Sequence, residues 1–399
     1  MSEELGRSAS KGASSLFALA EAPSTPPGKR HRLGTHRERT PDETWEWVLP
    51  VLPKCGISRV ADITRLDRIG IPVFQAVRPA SRNLSVSQGK GATPMAARVS
   101  AVMESIELHH AEDLSALPAV TLSIREMRYA NPIRIESLRW ASGALYAEAA
   151  SIEWLAARSL LTGRRGWLPR TMMELDFRRP RRFAPKLFDL TSNGLASGNT
   201  RDEALLHGLC ELIERHALYR VHKGQARKRP IATASVSVPY CQDMIEAILA
   251  AGGQIAVYDI GWEVGVPAFV VDCVFDDLPR VWRGSGAHPS SDVALSRAIS
   301  EAAQSRLTYI SGAREDVVEL EGLERPDLHY QRFRATTTGD SFEAILGFAG
   351  GDVASDLNAV LERLEALGLE PFALDLERSQ HGIPVSMVFV PGLKDPPHG

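Results

Sequence analysis

Apolar and polar positions along the chain fall into two recurring patterns. In the first, a helical-period stretch leads to a short β-branched strand ending in aspartate. A loop follows, and then Gly-[Ile/Val]-Pro opens a second apolar strand. The three copies are TWEWVLPVLPKCGISRVADITRLDRIGIPVFQAVRP, QDMIEAILAAGGQIAVYDIGWEVGVPAFVVDCVF and LNAVLERLEALGLEPFALDLERSQHGIPVSMVFVPG. Their aligned aspartates are Asp62, Asp259 and Asp375, and their aligned prolines Pro72, Pro267 and Pro384. Proline at the first residue of a strand forfeits no ladder hydrogen bond. Each copy therefore predicts a helix laid on a hairpin. The repetition predicts an α+β fold, helices packed on mainly antiparallel sheets.

The second pattern is a glycine-bearing polar loop running into an amphipathic helix. QGKG precedes AARVSAVMESIE, NGLASGN precedes EALLHGLCELIER, and GSGAH precedes ALSRAISEAAQSR. Each helix carries a spaced pair of acids or amides: Glu104/Glu107, Glu211/Glu214 and Glu301/Gln304. With Glu203 at zero, Glu214 falls at about 20°, His207 at about 40° and Glu211 at about 80°. Leucines and Ile213 cover the opposite arc. By the same arithmetic Ser100, Glu104 and Glu107 share one face, as do Arg297, Glu301 and Gln304.

A solvated helix face ordinarily mixes lysine with glutamate, because opposite charges at i,i+4 stabilise and like charges do not. Acids stacked on one face cost free energy unless a cation lies against them. Hard divalent ions take carboxylate and amide oxygens, and Mg²⁺ usually bridges a few carboxylates to substrate phosphates. The preceding loops point the same way, since helix N-termini attract phosphate oxygens. Three matched units thus point to an Mg²⁺–nucleotide site, with Lys90 either a phosphate partner or an exposed loop lysine.

The remaining signals bound the class. The 399 residues are 44% hydrophobic and 24% charged with a formal net charge of −3, an ordinary soluble composition that does not suit a dedicated nucleic-acid binder. No apolar run is long enough to span a bilayer, and the N-terminus has no signal-peptide pattern; the expected location is the cytoplasm. The region up to about residue 31 is rich in Ser, Ala, Pro and Gly and reads as a disordered tail. Residues 32–399 are then expected to form one folded domain, with subdomain breaks near 130 and 240. The four cysteines, Cys55, Cys210, Cys241 and Cys273, contain no C-x-x-C pair, which argues against zinc ligation and against a disulfide framework. GKGAT lacks the upstream spacing of a P-loop, and H-E-x-x-H and G-x-S-x-G are absent. Basic runs at Arg178–Lys186 and Lys223–Arg229 read as solvated loops or as a guide for an acidic peptide.

SQGKGATPMAARVSAVMESIE, NGLASGNTRDEALLHGLCELIERHA and ALSRAISEAAQSR resemble, in order, the three nucleotide-binding motifs of the YcaO family. The resemblance runs from about Gly34 to the end of the chain. It implies an ATP- and Mg²⁺-dependent enzyme that activates a backbone amide of a peptide or protein, giving an azoline, a thioamide or an amidine. Carried over, the motifs place Ser100, Glu104, Glu107, Asn199, Glu203, Glu211, Glu214, Arg215, Glu301, Gln304 and Arg306 at the nucleotide. Glu104, Glu107, Glu203, Glu211 and Glu214 would hold the metal, and Arg215 and Glu214 would serve the chemistry. For Arg215 an ion pair with Glu211 is the simpler alternative. Arg37 and Thr44 match an early basic residue and hydroxyl of the family.

GTHRERTPDETW and VADITRLDRIGIPVFQAVRP look most like the subgroup encoded beside TfuA proteins, which implies thioamide formation with sulfide and a TfuA-like partner. A homodimer is the expected assembly. Azoline formation from Cys, Ser or Thr of a ribosomal peptide precursor is the alternative, and a catalytically idle peptide-binding homologue a third. Three departures stand out. Leu108 follows Glu107 where arginine is common, Met387 occupies a position often basic, and DPPHG lacks the P-x-P-x-P ending of azoline-forming members.

Overall fold

The computed structural model describes residues 28–142, 144, 148–178, 187–314, 330–378 and 380–396. Packing is under way by Gly28, which bridges Asp352, and the side chain of Lys29 is buried in an ion pair with Asp356. Most of the basic run at 178–186 lies outside the described residues.

The two sequence patterns are one structural unit, built three times. In the first unit α1 (Pro41–Val48) precedes a sheet of β1 (Arg59–Asp62), β2 (Val73–Val77) and β3 (Val86–Lys90), followed by α2 (Pro94–Ala111). The second six-stranded sheet begins with β4 (Ala119–Ser123), β5 (Ser151–Ser159) and β6 (Arg165–Pro169). Next come β7 (Leu195–Ser197) and the long helix α3 (Arg201–His222). The middle unit follows β8 (Arg229–Ile231). It comprises α4 (Pro239–Ala250), β9 (Gln254–Asp259), β10 (Ala268–Val274), β11 (Trp282–Ala287) and α5 (Ser291–Ser311). The last is split: α6 (Val353–Ala366), β12 (Phe372–Asp375) and β13 (Val385–Phe389) join the earlier β7 and α3.

The sheet order is β1-β2-β3, β11-β10-β9-β8 and β4-β5-β12-β13-β7, with β6 on β5, and every ladder is antiparallel. The repeated aspartates have a local cause. Each closes its strand by accepting a hydrogen bond from the backbone N–H two residues on: Thr64 to Asp62, Gly261 to Asp259, Glu377 to Asp375. This side-chain turn releases the chain from the ladder. Each motif helix is capped alike, with Thr93, Thr200 or Ser290 accepting from the N–H three residues on.

The glycine-bearing stretches are corrected in one respect. Most of QGKG lies in β3 and most of GSGAH in β11, so these are strands rather than open phosphate loops. Their glycines serve close packing. A Cβ on Gly89 would sit 1.9 Å from the backbone nitrogen of Ala101, and one on Gly284 2.2 Å from the carbonyl of Ala298. Without side chains there, α2 and α5 rest directly on the strands that precede them. Each motif helix also touches the third strand of a neighbouring unit: α2 meets β7, α3 meets β11, and α5 meets β3. The three helices thereby enclose one space.

Candidate active site

That space is a cavity of about 600 Å³. Counted from their caps, the three helices present equivalent residues to it. Glu104, Glu211 and Glu301 stand eleven positions on; Glu107, Glu214 and Gln304 stand fourteen. Arg37, Thr44, Lys90, Ser100, Asn199, Glu203 and Arg215 complete the expected residues found in its wall.

Arg306 does not belong to it. Its guanidinium donates to Asp67 at 2.9 and 3.2 Å and to Asp277 at 2.5 and 2.9 Å, packed 4.3 Å from the Phe275 ring centroid. The helix explains why: Arg306 lies about 140° round from Glu301, on the buried side of α5. Two of the three departures also have structural readings. Leu108 lines the cavity, whereas Met387 is fully buried in the core beside Leu195 and faces no ligand space.

The wall acids differ in what already occupies their oxygens. Glu203 is nearly saturated: it accepts from the backbone N–H of Glu38 (2.6 Å) and Asn199 (2.9 Å) and from the Asn199 amide. It ties the segment around residue 38 to the loop before α3, with Arg37 3.8 Å away. Thr44 donates to Asn199 at 2.8 Å, steadying the same corner. Glu107 accepts from the N–H and hydroxyl of Ser197, and Glu214 from the hydroxyl of Ser285. The third equivalent, Gln304, has no such donor among the described residues, and its Oε1 is buried without a partner there.

Charge is crowded here. Burial above all pushes Glu104 up to about 7 and Glu107 up to about 8, with neighbouring carboxylates adding to each. Burial likewise raises Glu211. For Glu301 burial acts in the same direction, but Lys90 (3.0 Å) and Arg215 outweigh it and hold the carboxyl below its usual range. Arg215 is 3.8 Å from Glu211 and 3.7 Å from Glu214, and these acids outweigh burial to raise it further. Without a bound cation, Glu104 and Glu107 thus hold protons into the neutral range. Carboxylates converging with an unpartnered amide oxygen fit a hard divalent ion. Lys90 and the wall arginines fit the phosphates that accompany it.

Sequence reasoning gave no site role to Arg39, His207, Arg283, Arg297 and Arg314, which also line the cavity. For two of them the signal existed. Arg297 and His207 lie on the acidic faces by helical spacing, seven residues after their caps, and meet at 2.9 Å. Arg283 sits on a strand and Arg39 before α1, where spacing carries no such information.

Comparison with known proteins gives the family. Residues 88–394 match the family model described as YcaO cyclodehydratase, ATP- and Mg²⁺-binding. An uncharacterised protein of Mycobacterium tuberculosis is 38% identical over 379 residues, covering 91% of this chain and 83% of its own. An uncharacterised protein of Rhizobium leguminosarum bv. trifolii, named for its place in the tfuA 3′ region, is 34% identical, covering 90% and 88%. Among solved structures, a heterocyclase in complex with substrate and cofactor superposes with a TM-score of 0.75 at 20% identity. It is matched over 93% of this chain, which spans 54% of the heterocyclase. The YcaO of Methanopyrus kandleri bound with AMPPCP and Mg²⁺ gives 0.71 at 21% identity, covering 92% and 95%. Among the described residues no helix is long and apolar enough to cross a membrane. The chain belongs to the YcaO family, and its cofactors are ATP and Mg²⁺.

Proposed function

We propose that this chain activates a backbone amide of a peptide and exchanges its oxygen for sulfur, working with a TfuA-like partner. The observation that carries the reading is the cavity itself: carboxylates, one free amide oxygen and several arginines, with no cysteine among the lining residues. Phosphoryl transfer asks for positioning and charge neutralisation more than for a protein nucleophile. The cysteines suit that division of labour, since all four are buried, and burial raises their thiols.

Glu104, Glu107, Glu211 and Glu214, with Gln304, would hold Mg²⁺; Glu203 would keep the cavity rim in place. Bound ATP supplies the phosphoryl group that makes the carbonyl oxygen a good leaving group. The balanced change is amide plus ATP plus hydrosulfide giving thioamide, ADP and phosphate, the amide oxygen leaving in the phosphate. Arg215 would meet the developing phosphate charge, being permanently cationic and forked. Its carboxylate neighbours keep it aimed into the cavity.

The sulfur reading is supported by the N-terminal motifs and by the tfuA-region relative. The family description and the heterocyclase match favour the azoline alternative. The retained acids argue against an idle homologue. Product mass decides among the three. The full chain is incubated with Mg²⁺, ATP, sulfide, the TfuA-like partner and a peptide encoded beside the gene. Exchange of oxygen for sulfur makes the peptide heavier, whereas azoline closure lightens it by one water. An unchanged peptide with ATP consumption at background would overturn the enzymatic reading.

A further inference from the structure

A second group of ligating side chains lies at the far end of α2, just past Glu107. His109 and His110 close that helix; His381 comes from the β12–β13 connection and Cys55 from the loop before β1. Sulfur of Cys55 and one ring nitrogen each of His109 and His381 lie within 4.8 Å of one another. Cys55 is 2% exposed and His381 6%.

The hydrogen-bond chain assigns the protons. His110 Nδ1 is 2.7 Å from the carbonyl oxygen of Ile106, which can only accept, so Nδ1 carries the hydrogen and Nε2 a lone pair. His381 Nδ1 is 3.2 Å from that lone pair and must therefore donate to it. This leaves His381 Nε2 unprotonated, and it is buried with no partner among the described residues. A buried acceptor without a donor is costly, and a metal ion would satisfy it. A neutral imidazole with a free ring nitrogen is the form that ligates metals.

We infer that Cys55, His109 and His381 form a site for a thiophilic divalent ion of the zinc class, separate from the nucleotide cavity. A tetrahedral zinc ion holds such atoms about 3.3–3.6 Å apart, so side-chain rotation of about 1 Å closes the group. The supporting contact suits it. His381 donates its other N–H to His110, the outer-shell arrangement that orients a ligating imidazole. Without an ion, burial pushes the Cys55 thiol up to about 11; coordination supplies the charge that lets it ionise. The ion would tie the last turn of α2 to two loops, and so brace the helix that carries Glu104 and Glu107. The site rests on its own geometry, whatever the cavity catalyses.

The test uses the reduced, chelator-stripped full chain titrated with Co²⁺ as a spectroscopic stand-in for Zn²⁺. The expected result is a thiolate-to-cobalt band in the near ultraviolet with tetrahedral visible bands. It should saturate at one ion per chain and be displaced by Zn²⁺. Cys55→Ser should abolish the band, Cys210→Ser should leave it, and His381→Asn should weaken binding by more than the roughly 10–100-fold that loss of an outer-shell partner costs. Zn²⁺ should also raise the melting temperature of the wild type but not of Cys55→Ser. No thiolate band in the wild type, or a band that survives Cys55→Ser, would overturn the site. Cobalt held only by cavity carboxylates would count against it, since it gives visible bands without the sulfur transition.

Discussion

Arg215 and Arg306 stand at similar stages of two related helices, each just past a carboxylate or amide pair, yet the fold uses them in opposite ways. Arg215 looks into the cavity between Glu211 and Glu214 at 3.7–3.8 Å, loosely held and partly exposed. Arg306 is sealed at 2% exposure, locked to Asp67 and Asp277 beneath Phe275. The difference is angular. Arg215 lies about 40° from Glu211 on its helix and Arg306 about 140° from Glu301. A charged residue near a motif is thus functional or structural according to the face it occupies.

The comparison can be broken by exchanging the two arginines in turn. Arg306→Met should be the larger perturbation, costing about 3–5 kcal/mol because Asp67 is left buried and unpaired. Urea unfolding should show the loss, while the folded fraction keeps wild-type nucleotide affinity. Arg215→Lys keeps a cation but loses the fork. Turnover of ATP with peptide should fall roughly 100-fold, with stability within about 0.5 kcal/mol of wild type. If Arg306→Met spares stability but removes nucleotide binding, the assignment of the two roles is reversed.

A smaller effect sharpens the contrast through pH. Glu104 and Glu107 titrate near 7 and 8 when folded, against an ordinary 4.5. Between those limits the folded chain holds protons that the unfolded chain has released, so stability from these groups falls as pH rises from about 4.5 to about 8. The difference in urea midpoint between wild type and Glu104→Gln/Glu107→Gln should follow that fall, without Mg²⁺ or nucleotide. Binding of Mg²⁺–ATP near neutral pH should release protons, visible as a buffer-dependent binding enthalpy. A flat pH profile would remove the crowded-acid account of the wall.

Much of this was legible in the chain. Asp62, Asp259 and Asp375 mark the ends of three hairpin strands because a side-chain turn needs an acceptor there. The paired acids predict the cavity wall because helical spacing converts sequence directly into faces. Strands β3 and β11 were not legible. Gly89, Gly284 and Gly286 give them a polar, loop-like composition, although they are buried under helices. Nor could the sequence show that the third unit joins β7 and α3 to a hairpin more than 150 residues later. Cys55, His109 and His381 share no spacing, and only the fold gathers them.

The central claim is that the acids of three helices form one magnesium–nucleotide cradle. Its most direct test is calorimetric titration of the full chain with AMPPCP, with and without Mg²⁺, in wild type and Glu211→Gln. The account predicts saturable binding of one equivalent that requires Mg²⁺ and weakens about 100-fold in the folded variant. Equal affinity in folded Glu211→Gln, or binding indifferent to Mg²⁺, would contradict it.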